Sequence, residues 1–304
     1  MASCHNRGMR IVASGASGLI GSALVPALER EGHDVVRLVR REPQGPKELA
    51  WDPDAGTIDA ARLAGADAVV NLNGATIGRR WTAARKREIV ESRIRSTDLL
   101  SRTLAELEPR PSVLVCAGGV GIYGDRGDEI LTEESELGTG FLAEVGRAWE
   151  AAAEPARAAG IRVVNFRQGV VLSGEGGVLD RMLRPFKLGL GGRVGSGRQW
   201  WSWVSMEDLV AAYLLAIEGD LTGPVNLTSP SPVTNAQFVK ALGRALHRPT
   251  VFPLPAIGVK TLFGEMGEAV LLEGQRVLPA RLQDAGLTFT TPDLDTALHR
   301  VLTD

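Results

Sequence analysis

Three glycines near the start of the chain have a spacing that suits a phosphate-binding turn. Gly15, Gly18 and Gly21 follow the short apolar run 11–13 and precede an apolar pattern of helical period. In a strand–turn–helix unit, glycine lets the backbone turn sharply and approach a pyrophosphate, while the helix N-terminus presents free N–H groups. The pattern predicts a dinucleotide site. The alternative is a glycine-rich turn of the kind found in any α/β protein.

An arginine pair follows the second predicted strand. That strand covers 33–39 and leads into Arg40 and Arg41. A site for NAD usually has an acidic residue in this region, about 20 positions after the glycine turn. A carboxylate would repel a 2′-phosphate, whereas a guanidinium binds it through two parallel hydrogen bonds. We therefore expect NADP rather than NAD. The alternative is that both arginines are solvated charges at a strand end.

Two further segments are predicted to lie near the cofactor. The strand 67–72 runs into Asn73, Gly74 and Ala75, small residues at the carboxyl end of a strand, where open α/β sheets bind ligands. The predicted helix 82–107 turns Arg93 towards its buried side, where a guanidinium needs a partner such as a phosphate. The respective alternatives are a plain strand-end turn and a helix-to-loop hydrogen bond.

Strand and helix patterns alternate up to residue 172 and become irregular beyond it. Such alternation is typical of a parallel sheet with helices on both faces. We therefore expect an α/β protein with a doubly wound Rossmann fold. Its NADP-binding domain covers 9–172, and the chain partly returns to it at 202–230. Residues 173–304 form a smaller mixed C-terminal lobe for the substrate, and residues 1–8 form a disordered tail.

The bulk composition argues against several classes of protein. The chain has 304 residues and a net charge of −2, so neither nucleic acid nor an anionic membrane is expected as a partner. No apolar run is long enough to span a bilayer, and the polar N-terminus does not have a signal-peptide pattern. Cys4 and Cys116, with four scattered histidines, indicate neither a disulfide framework nor a metal site. We expect a cytoplasmic protein.

Taken together, the motifs resemble an atypical extended short-chain dehydrogenase/reductase, in the branch described as nucleoside-diphosphate-sugar epimerase-like. The matching segments are 15–21, 51–53, 71–75, 80–82, 92–94, 120–124, 149–150, 195–199 and 271–279. The resemblance implies NADP as the cofactor and a C-terminal region, characteristic of the branch, from about residue 256. It also implies that these residues bind the cofactor: Gly15, Ser17, Gly18, Leu19, Ile20, Arg40, Arg41, Leu72, Asn73, Gly74, Glu88, Arg93 and Val171.

The chain departs from this resemblance at the residues that transfer protons. Enzymes of the wider superfamily use a Ser, a Tyr and a Lys, whose ammonium lowers the pKa of the tyrosine. Here the serine position falls at Gly118 or Gly119, and the segment 141–146 contains neither Tyr nor Lys. Tyr123, on a glycine-rich loop, is the best surviving candidate for a catalytic acid or base. The alternative is a packing tyrosine.

Three functional hypotheses follow. The first is an NADP(H)-dependent epimerase or oxidoreductase acting on an unknown small-molecule substrate that resembles a nucleotide sugar. The second is a non-catalytic NADP(H)-binding sensor or regulator, and the third is a scaffold with a vestigial pocket. The aromatic cluster of Trp200, Trp201 and Trp203 either stacks on a sugar or base or closes the interface between the lobes. The sequence is compatible with a homodimer and leaves the oligomeric state open.

Overall fold

The computed structural model describes residues 8–303. Of the tail predicted for residues 1–8, only Gly8 lies within this range, so that prediction falls outside the described residues. The strands are β1 (Arg10–Ser14), β2 (Asp34–Val39), β3 (Glu48–Asp52), β4 (Thr57–Ile58), β5 (Ala68–Asn71), β6 (Val113–Cys116), β7 (Ile130–Leu131), β8 (Arg162–Gln168), β9 (Val170–Leu172), β10 (Trp200–Trp201), β11 (Trp203–Ser205), β12 (Gly223–Leu227), β13 (Val233–Thr234) and β14 (Arg276–Val277).

Helices connect most of these strands. They are α1 (Leu19–Arg30), α2 (Ala60–Leu63), α3 (Ala83–Ala105), α4 (Phe141–Ala151), α5 (Glu154–Ala158), α6 (Gly177–Lys187), α7 (Met206–Glu218), α8 (Asn235–Leu246), α9 (Ala256–Phe263), α10 (Glu265–Gly267), α11 (Ala280–Asp284) and α12 (Leu294–Thr303). A 3-10 turn covers Val120–Tyr123, and a π-helical turn covers Glu268–Leu272.

An eight-stranded sheet lies at the centre of the molecule, in the order β12-β8-β6-β5-β1-β2-β3-β4. Its neighbouring strands pair in parallel, except that β4 is antiparallel to β3. The register pairs Ser14 with both Leu38 and Asn71, and Asn71 with Cys116. The carboxyl ends of β1, β2, β5 and β6 therefore meet at one edge, where the strand order reverses and such sheets bind ligands. The predicted doubly wound Rossmann fold is confirmed.

The central strands contribute to two hydrophobic cores, one on each face of the sheet. In β1, Ile11 and Ala13 belong to the core that contains Leu24 of α1. Val12 points the other way and belongs to the core that contains Leu100 of α3. Because helices cover both faces, these strands are apolar throughout instead of alternating with polar residues.

A helix that the sequence predicts over 139–159 is divided in two. The structure has α4 ending at Ala151 and α5 beginning at Glu154. Pro155 lies in the first turn of α5, where its missing N–H has no helical acceptor to lose. The break at this proline is the early end that its position in the predicted helix indicated.

The C-terminal lobe is small and mixed, as predicted. Its core packs α6, α8 and α12 around Trp201, Trp203 and Phe238. The chain also returns to the main sheet, because β12 pairs in parallel with β8. In α7, Leu209 and Tyr213 join the same core as α1.

The last part of the chain docks on the loop and helix that follow β5. Arg80 donates hydrogen bonds to the carbonyl oxygens of Thr261 and Leu262, at 3.2 and 3.3 Å. Lys86 of α3 forms an ion pair with Glu265 at 2.6 Å. These contacts hold α9, α10 and the π-helical turn beside the carboxyl edge of the sheet.

Candidate functional site

The glycine turn between β1 and α1 is tightly built. Gly15 has a φ of +67°, a conformation that favours glycine. A Cβ at this position would also lie 2.8 Å from the Leu72 carbonyl carbon. A Cβ at Gly21 would lie 2.4 Å from the Gly15 carbonyl oxygen. The turn is closed by a hydrogen bond from the Gly18 N–H to the Gly15 carbonyl at 2.9 Å, so the strand and helix approach as closely as the motif predicts.

The helix after this turn begins without a side-chain cap. Gly18 is the N-cap of α1 and offers no side-chain acceptor. By contrast, α3, α7 and α8 are capped by Thr82, Ser205 and Thr234, each of which accepts a hydrogen bond from a first-turn N–H. The first N–H groups of α1 are therefore available to donate to an anion, which the helix dipole also favours.

A large cavity extends from the glycine turn to the end of β2. Its volume is about 790 Å³, and Gly15, Ser17, Arg40, Arg41 and Asn73 lie in its wall. We refer to it as the Arg40 cavity. The exposed Arg40 side chain makes no hydrogen bond or ion pair with any residue between 8 and 303. An unpaired guanidinium at this place is free to bind an anion.

The neighbouring arginine is already engaged. Both terminal nitrogens of Arg41 donate to the Glu48 carboxylate, at 2.8 and 2.6 Å. This hydrogen bonding, with a further one from the Gln44 N–H, lowers the pKa of Glu48 to about 2. The two predicted arginines thus differ: Arg40 is open, while Arg41 neutralises a carboxylate in the wall of the same cavity.

The loop 73–75 is held in place by α3. Ser92 accepts a hydrogen bond from the Ala75 N–H at 3.0 Å, and its carbonyl accepts one from the Asn73 side chain at 3.3 Å. Arg93 donates to the Ala75 carbonyl at 2.9 Å and lies 4.8 Å from the ring of Trp149. Burial lowers the pKa of Arg93 to about 10. Arg93 thus supports the loop from below and makes the helix-to-loop hydrogen bond that the sequence allowed.

A buried polar network ties this loop to the sheet. Asn71 accepts a hydrogen bond from the Ser14 hydroxyl at 2.6 Å and donates to Thr97 at 2.8 Å. Thr97 also accepts from the indole of Trp149 at 2.9 Å. Because every member is paired in a buried setting, the network fixes the positions of β1, β5, α3 and α4 relative to one another.

A second cavity continues past this loop. Its volume is about 400 Å³, and its wall includes Arg40, Asn73, Gly74 and Glu88. Because Arg40 and Asn73 line both this cavity and the Arg40 cavity, the two form one cleft. Glu88 forms an ion pair with Arg85 on the surface of α3.

A third cavity lies on the other side of the glycine turn. Its volume is about 320 Å³, and its wall is mainly apolar, including Leu19, Gly119, Leu142 and Val171. We refer to it as the Leu142 cavity. Two other predicted residues lie behind the cleft: Ile20 packs against the core beneath α1, and Leu72 also packs there.

The positions that could carry a Tyr and a Lys on α4 have no polar group. A tyrosine that reached the Leu142 cavity from α4 would start at Leu142, and a lysine four residues later would start at Gly146. A Cβ at Gly146 would lie 2.8 Å from the Cβ of Ile122, so the packing leaves no room for a side chain. A Cβ at Gly118 would lie 2.4 Å from the Phe166 carbonyl oxygen, whereas Gly119 has space.

Tyr123 does not line this cavity, and its predicted catalytic role does not fit its position. Its side chain is completely buried. The hydroxyl donates to Asn226 at 2.7 Å and accepts from Arg167 at 2.9 Å, and Arg167 pairs with Glu150 at 2.8 Å. Burial raises the pKa of Tyr123 above its usual range. The geometry favours the alternative, a tyrosine that packs the turn and satisfies a buried arginine.

The other tyrosine is equally buried. Tyr213 lies in the core 4.7 Å from the ring of Phe166, and its hydroxyl accepts a hydrogen bond from Gln168 at 2.6 Å. Gln168 itself lies in the wall of the Leu142 cavity. Neither tyrosine hydroxyl is therefore available to a ligand.

The tryptophan cluster is expected either to stack on a sugar or base or to close the interface between the lobes, and its members differ in position. Trp203 is fully buried and donates to the Ser231 carbonyl at 3.0 Å, so it closes the core of the second lobe. Trp200 and Trp201 both lie in the wall of the Leu142 cavity. The indole of Trp200 donates to Asp128 at 2.7 Å, which fixes its ring at the cavity wall.

A fourth cavity, next to the Leu142 cavity, contains acidic residues that the sequence analysis did not single out. Its volume is about 280 Å³, and Asp125, Glu265, Glu268 and Glu273 lie in its wall. We refer to it as the acidic cavity. Glu273 lines both cavities. It lies within the segment 271–279, which resembles the family, but a lone glutamate with no chemical motif around it carries no signal of its own.

Residues 8–303 contain neither a cluster of metal-ligating side chains nor a membrane-spanning helix. Nowhere in this range do three or more His, Cys, Asp or Glu side chains come together as a metal site would require. The helices of the same range are all too short or too polar to cross a membrane.

Comparisons with known proteins agree with this architecture. The chain is 48% identical over 281 residues to an epimerase family protein of Mycobacterium bovis, covering 92% of this chain and 93% of that one. The crystal structure of the human epimerase family protein SDR39U1 with NADPH has a TM-score of 0.89 and 34% identity, and covers 97% of this chain and 100% of that one. A nucleoside-diphosphate sugar epimerase from Corynebacterium glutamicum has a TM-score of 0.81 and 38% identity, over 97% of this chain and 58% of the other.

The family profiles divide the chain into two parts. Residues 254–301 match a domain of unknown function, DUF1731, which corresponds to the C-terminal region that the resemblance implied. Residues 11–227 match the profile of the NAD dependent epimerase/dehydratase family. The chain therefore belongs to the NAD-dependent epimerase/dehydratase family and is an extended short-chain dehydrogenase/reductase with the C-terminal region of the epimerase-like branch.

Proposed function

We propose that this protein binds NADP(H) along the carboxyl edge of its sheet and uses it in an oxidoreductase or epimerase reaction on a small molecule. The observation that supports this most directly is Arg40, an unpaired guanidinium in a cavity that begins at an uncapped helix N-terminus. Both features offer donors to anions, and NADP(H) carries a pyrophosphate and a 2′-phosphate.

From the Arg40 cavity to the Leu142 cavity, the predicted residues follow the order of the parts of the cofactor that they would bind. The turn of Gly15, Ser17 and Gly18 would hold the pyrophosphate, and Arg40 the 2′-phosphate. Leu19 and Val171, in the Leu142 cavity, would lie beside the nicotinamide end. The human relative, 34% identical over 97% of this chain, was crystallised with NADPH, which supports the same cofactor here.

When bound, the cofactor would supply hydride transfer. The residues of the chain would orient it and keep water away. Leu142, Trp201 and Val170 form apolar walls that exclude solvent from a reacting carbonyl or alcohol carbon. The loop 73–75, fixed by Ser92 and Arg93, would hold the adenosine half rigidly, so that the other half is presented in one orientation.

The walls also restrict the chemical class of the substrate. Among residues 8–303, those lining the Leu142 cavity and the acidic cavity include no Lys or Arg. A phosphate or diphosphate group would therefore find no cation at this end, and it would meet the acidic side chains of Asp125 and Glu268. We propose a small carbonyl or alcohol with an apolar or cationic body, rather than a nucleotide whose diphosphate enters these cavities.

A second function, non-catalytic cofactor binding, is favoured by one observation. Leu142 and Gly146 occupy the spacing of a Tyr and a Lys on α4, and the packing around Gly146 admits no side chain. A screen of small ketones, aldehydes and alcohols, followed by NADPH absorbance, separates the two functions. Turnover supports the enzyme, and tight binding without turnover supports the sensor.

The cofactor proposal is tested by comparing NADPH with NADH in fluorescence titrations. We expect wild-type protein to bind NADPH more tightly, because the 2′-phosphate gains charge-assisted hydrogen bonds to Arg40. Since such bonds contribute about 1.5–3 kcal/mol, Arg40→Ala should weaken NADPH binding by roughly 10- to 100-fold and leave NADH binding unchanged. Arg30→Ala, at the exposed end of α1, is the matched control and should change neither. Equal affinity of wild-type protein for both cofactors would overturn the proposal.

A further inference from the structure

A carbonyl that accepts a hydride at carbon must also receive a proton at oxygen, and the chain lacks the usual donor. Tyr123 and Tyr213 are buried with their hydroxyls engaged. Among residues 8–303, Glu273 is the one side chain in the wall of the Leu142 cavity that can exchange a proton near neutral pH. Gln168, Ser202 and Gln275, its other polar wall residues, do not titrate in that range.

Glu273 is held rigidly in the wall. It follows the π-helical turn Glu268–Leu272, and its N–H donates to the Glu268 carbonyl at 3.0 Å. A Cβ at the next residue, Gly274, would lie 2.3 Å from the Trp200 carbonyl oxygen. The chain therefore passes directly against β10, and the Gln275 N–H donates to the same carbonyl at 3.2 Å. A π-helical turn of this kind is frequent at functional sites.

The charges around Glu273 favour its protonated form. Its half-buried side chain lines both cavities and takes no hydrogen bond from any other residue in 8–303. Burial raises the pKa of Glu273 above its usual value, and the charges of Asp125 and Glu268 raise it further. Lys260 acts in the opposite direction but is paired with Glu268 at 2.6 Å.

The other charged groups of the surrounding elements are engaged with their own partners. Lys86 is paired with Glu265 at 2.6 Å. The guanidinium of Arg276 lies 4.3 Å from the ring of Trp200. Neither cation belongs to the wall of the Leu142 cavity or of the acidic cavity, so the described residues in the two walls around the Glu273 carboxyl include no cation.

We propose that Glu273, supplied by the C-terminal region, is the catalytic acid and base of the site in place of the missing tyrosine. This inference rests on the proposed function, since it requires a nicotinamide in the Leu142 cavity. In the direction of reduction, the carbonyl carbon gains the hydride and the carbonyl oxygen takes the proton from the Glu273 carboxylic acid. The products are an alcohol, the oxidised cofactor and the Glu273 carboxylate. In oxidation, the carboxylate takes the proton back.

The test does not need the substrate, because the two redox forms of the cofactor differ in charge at the nicotinamide. An ionised Glu273 attracts the positive ring of NADP⁺ and not the neutral ring of NADPH. We therefore expect the affinity for NADP⁺ relative to NADPH to rise by roughly tenfold as the pH rises through the pKa of Glu273. The 2′-phosphate is common to both forms, so its own titration cancels in the ratio.

Three proteins are compared by calorimetry or fluorescence across the pH range in which the fold is stable. In Glu273→Gln, which preserves shape, the ratio should be independent of pH. Glu265→Gln, which removes a carboxylate of the acidic cavity that does not line the Leu142 cavity, should keep the wild-type profile. If Glu273→Gln keeps the wild-type pH dependence, or if it reduces any carbonyl probe as fast as wild-type protein does, the inference is wrong. Failure of the proposed function is a different result, in which wild-type protein binds neither form.

Discussion

The proposed cofactor site has two ends. At the Arg40 cavity the chain offers donors without partners, whereas at the Leu142 cavity it offers apolar walls and the carboxyl group of Glu273. The first end is built from β1, the start of α1 and the residues after β2. The second is built from α4, the loop after β6 and the C-terminal region. In the proposed function, cofactor affinity and proton transfer therefore depend on separate elements. The elements that bind the cofactor can match the sequence pattern of the family while those that would transfer the proton depart from it.

The largest effect that tests this separation is expected from Tyr123→Phe. If Tyr123 belongs to the fold and not to the chemistry, loss of its hydroxyl leaves two buried polar atoms without a partner, Nη1 of Arg167 and Oδ1 of Asn226, although Arg167 keeps its pair with Glu150. Because an unsatisfied buried group costs about 1–3 kcal/mol, we expect the free energy of unfolding in urea to fall by about 3 kcal/mol. NADPH affinity should stay unchanged in protein that is still folded.

Tyr213→Phe is the matched control for this variant. It removes a buried hydroxyl with one partner, Gln168, and should cost about 1 kcal/mol. A Tyr123→Phe protein that is as stable as wild type but has lost turnover would show that Tyr123 acts in catalysis, and it would contradict the structural role assigned to Tyr123 here.

A smaller loss is expected when a methyl group is added to α4. In Gly146→Ala the new Cβ meets Ile122 at 2.8 Å, and overpacking of this kind costs about 1–3 kcal/mol. The gain in helix propensity, about 1 kcal/mol, offsets part of it. We expect a net loss of up to about 2 kcal/mol in unfolding free energy, by the difference of these two terms.

Gly258→Ala provides the control for Gly146→Ala. A Cβ at this position in α9 meets only Leu254, at an ordinary 3.6 Å, so the substitution should be neutral or slightly stabilising. If Gly146→Ala is also neutral, then α4 can accept a side chain at 146, and the absence of a lysine there is a matter of sequence and not of packing.

The signals that predict the first end of the site are local in the sequence. The glycine spacing before α1 and the small residues after β5 each lie within a few positions of the strand ends that they mark. The second end depends on contacts between distant segments. Glu273 lies in the same cavity wall as Leu142 and Gly119 because β14 pairs with β7 and Gly274 passes against Trp200, and no local pattern encodes that arrangement.

The same reason explains why the sequence did not indicate the partners of Tyr123 and of Arg41. The glycines around Tyr123 correctly indicated a loop near the cofactor edge, but the partners of its hydroxyl, Arg167 and Asn226, lie 44 and 103 residues further along the chain. Nothing in the local sequence distinguishes the expected role of Arg40 from that of Arg41. They differ in structure because Glu48 of the neighbouring strand pairs with one of them only.

That difference between the two arginines gives the smallest effect. In Arg41→Ala, Glu48 loses the partner that contributes most to its lowered pKa, and its charge then faces a 2′-phosphate in the Arg40 cavity. Since exposed charge pairs have weak effects, we expect NADPH affinity to fall by about threefold at low salt and less at high salt. Arg41→Ala/Glu48→Gln should recover the wild-type affinity, and a failure to recover would mean that Arg41 binds the phosphate directly.

The pH dependence of stability separates the same two roles without any cofactor. The folded pKa of Glu48, about 2, lies below the usual value of 4.5, so the Arg41–Glu48 pair stabilises the fold above pH 4.5, and that contribution is lost as the pH falls towards 2. The difference in unfolding free energy between wild-type protein and Arg41→Ala should therefore shrink over this interval. A difference that is constant with pH would show that Arg41 does not act through the Glu48 carboxylate. Both arginines would then be equally free to bind the cofactor, and the contrast between them would disappear.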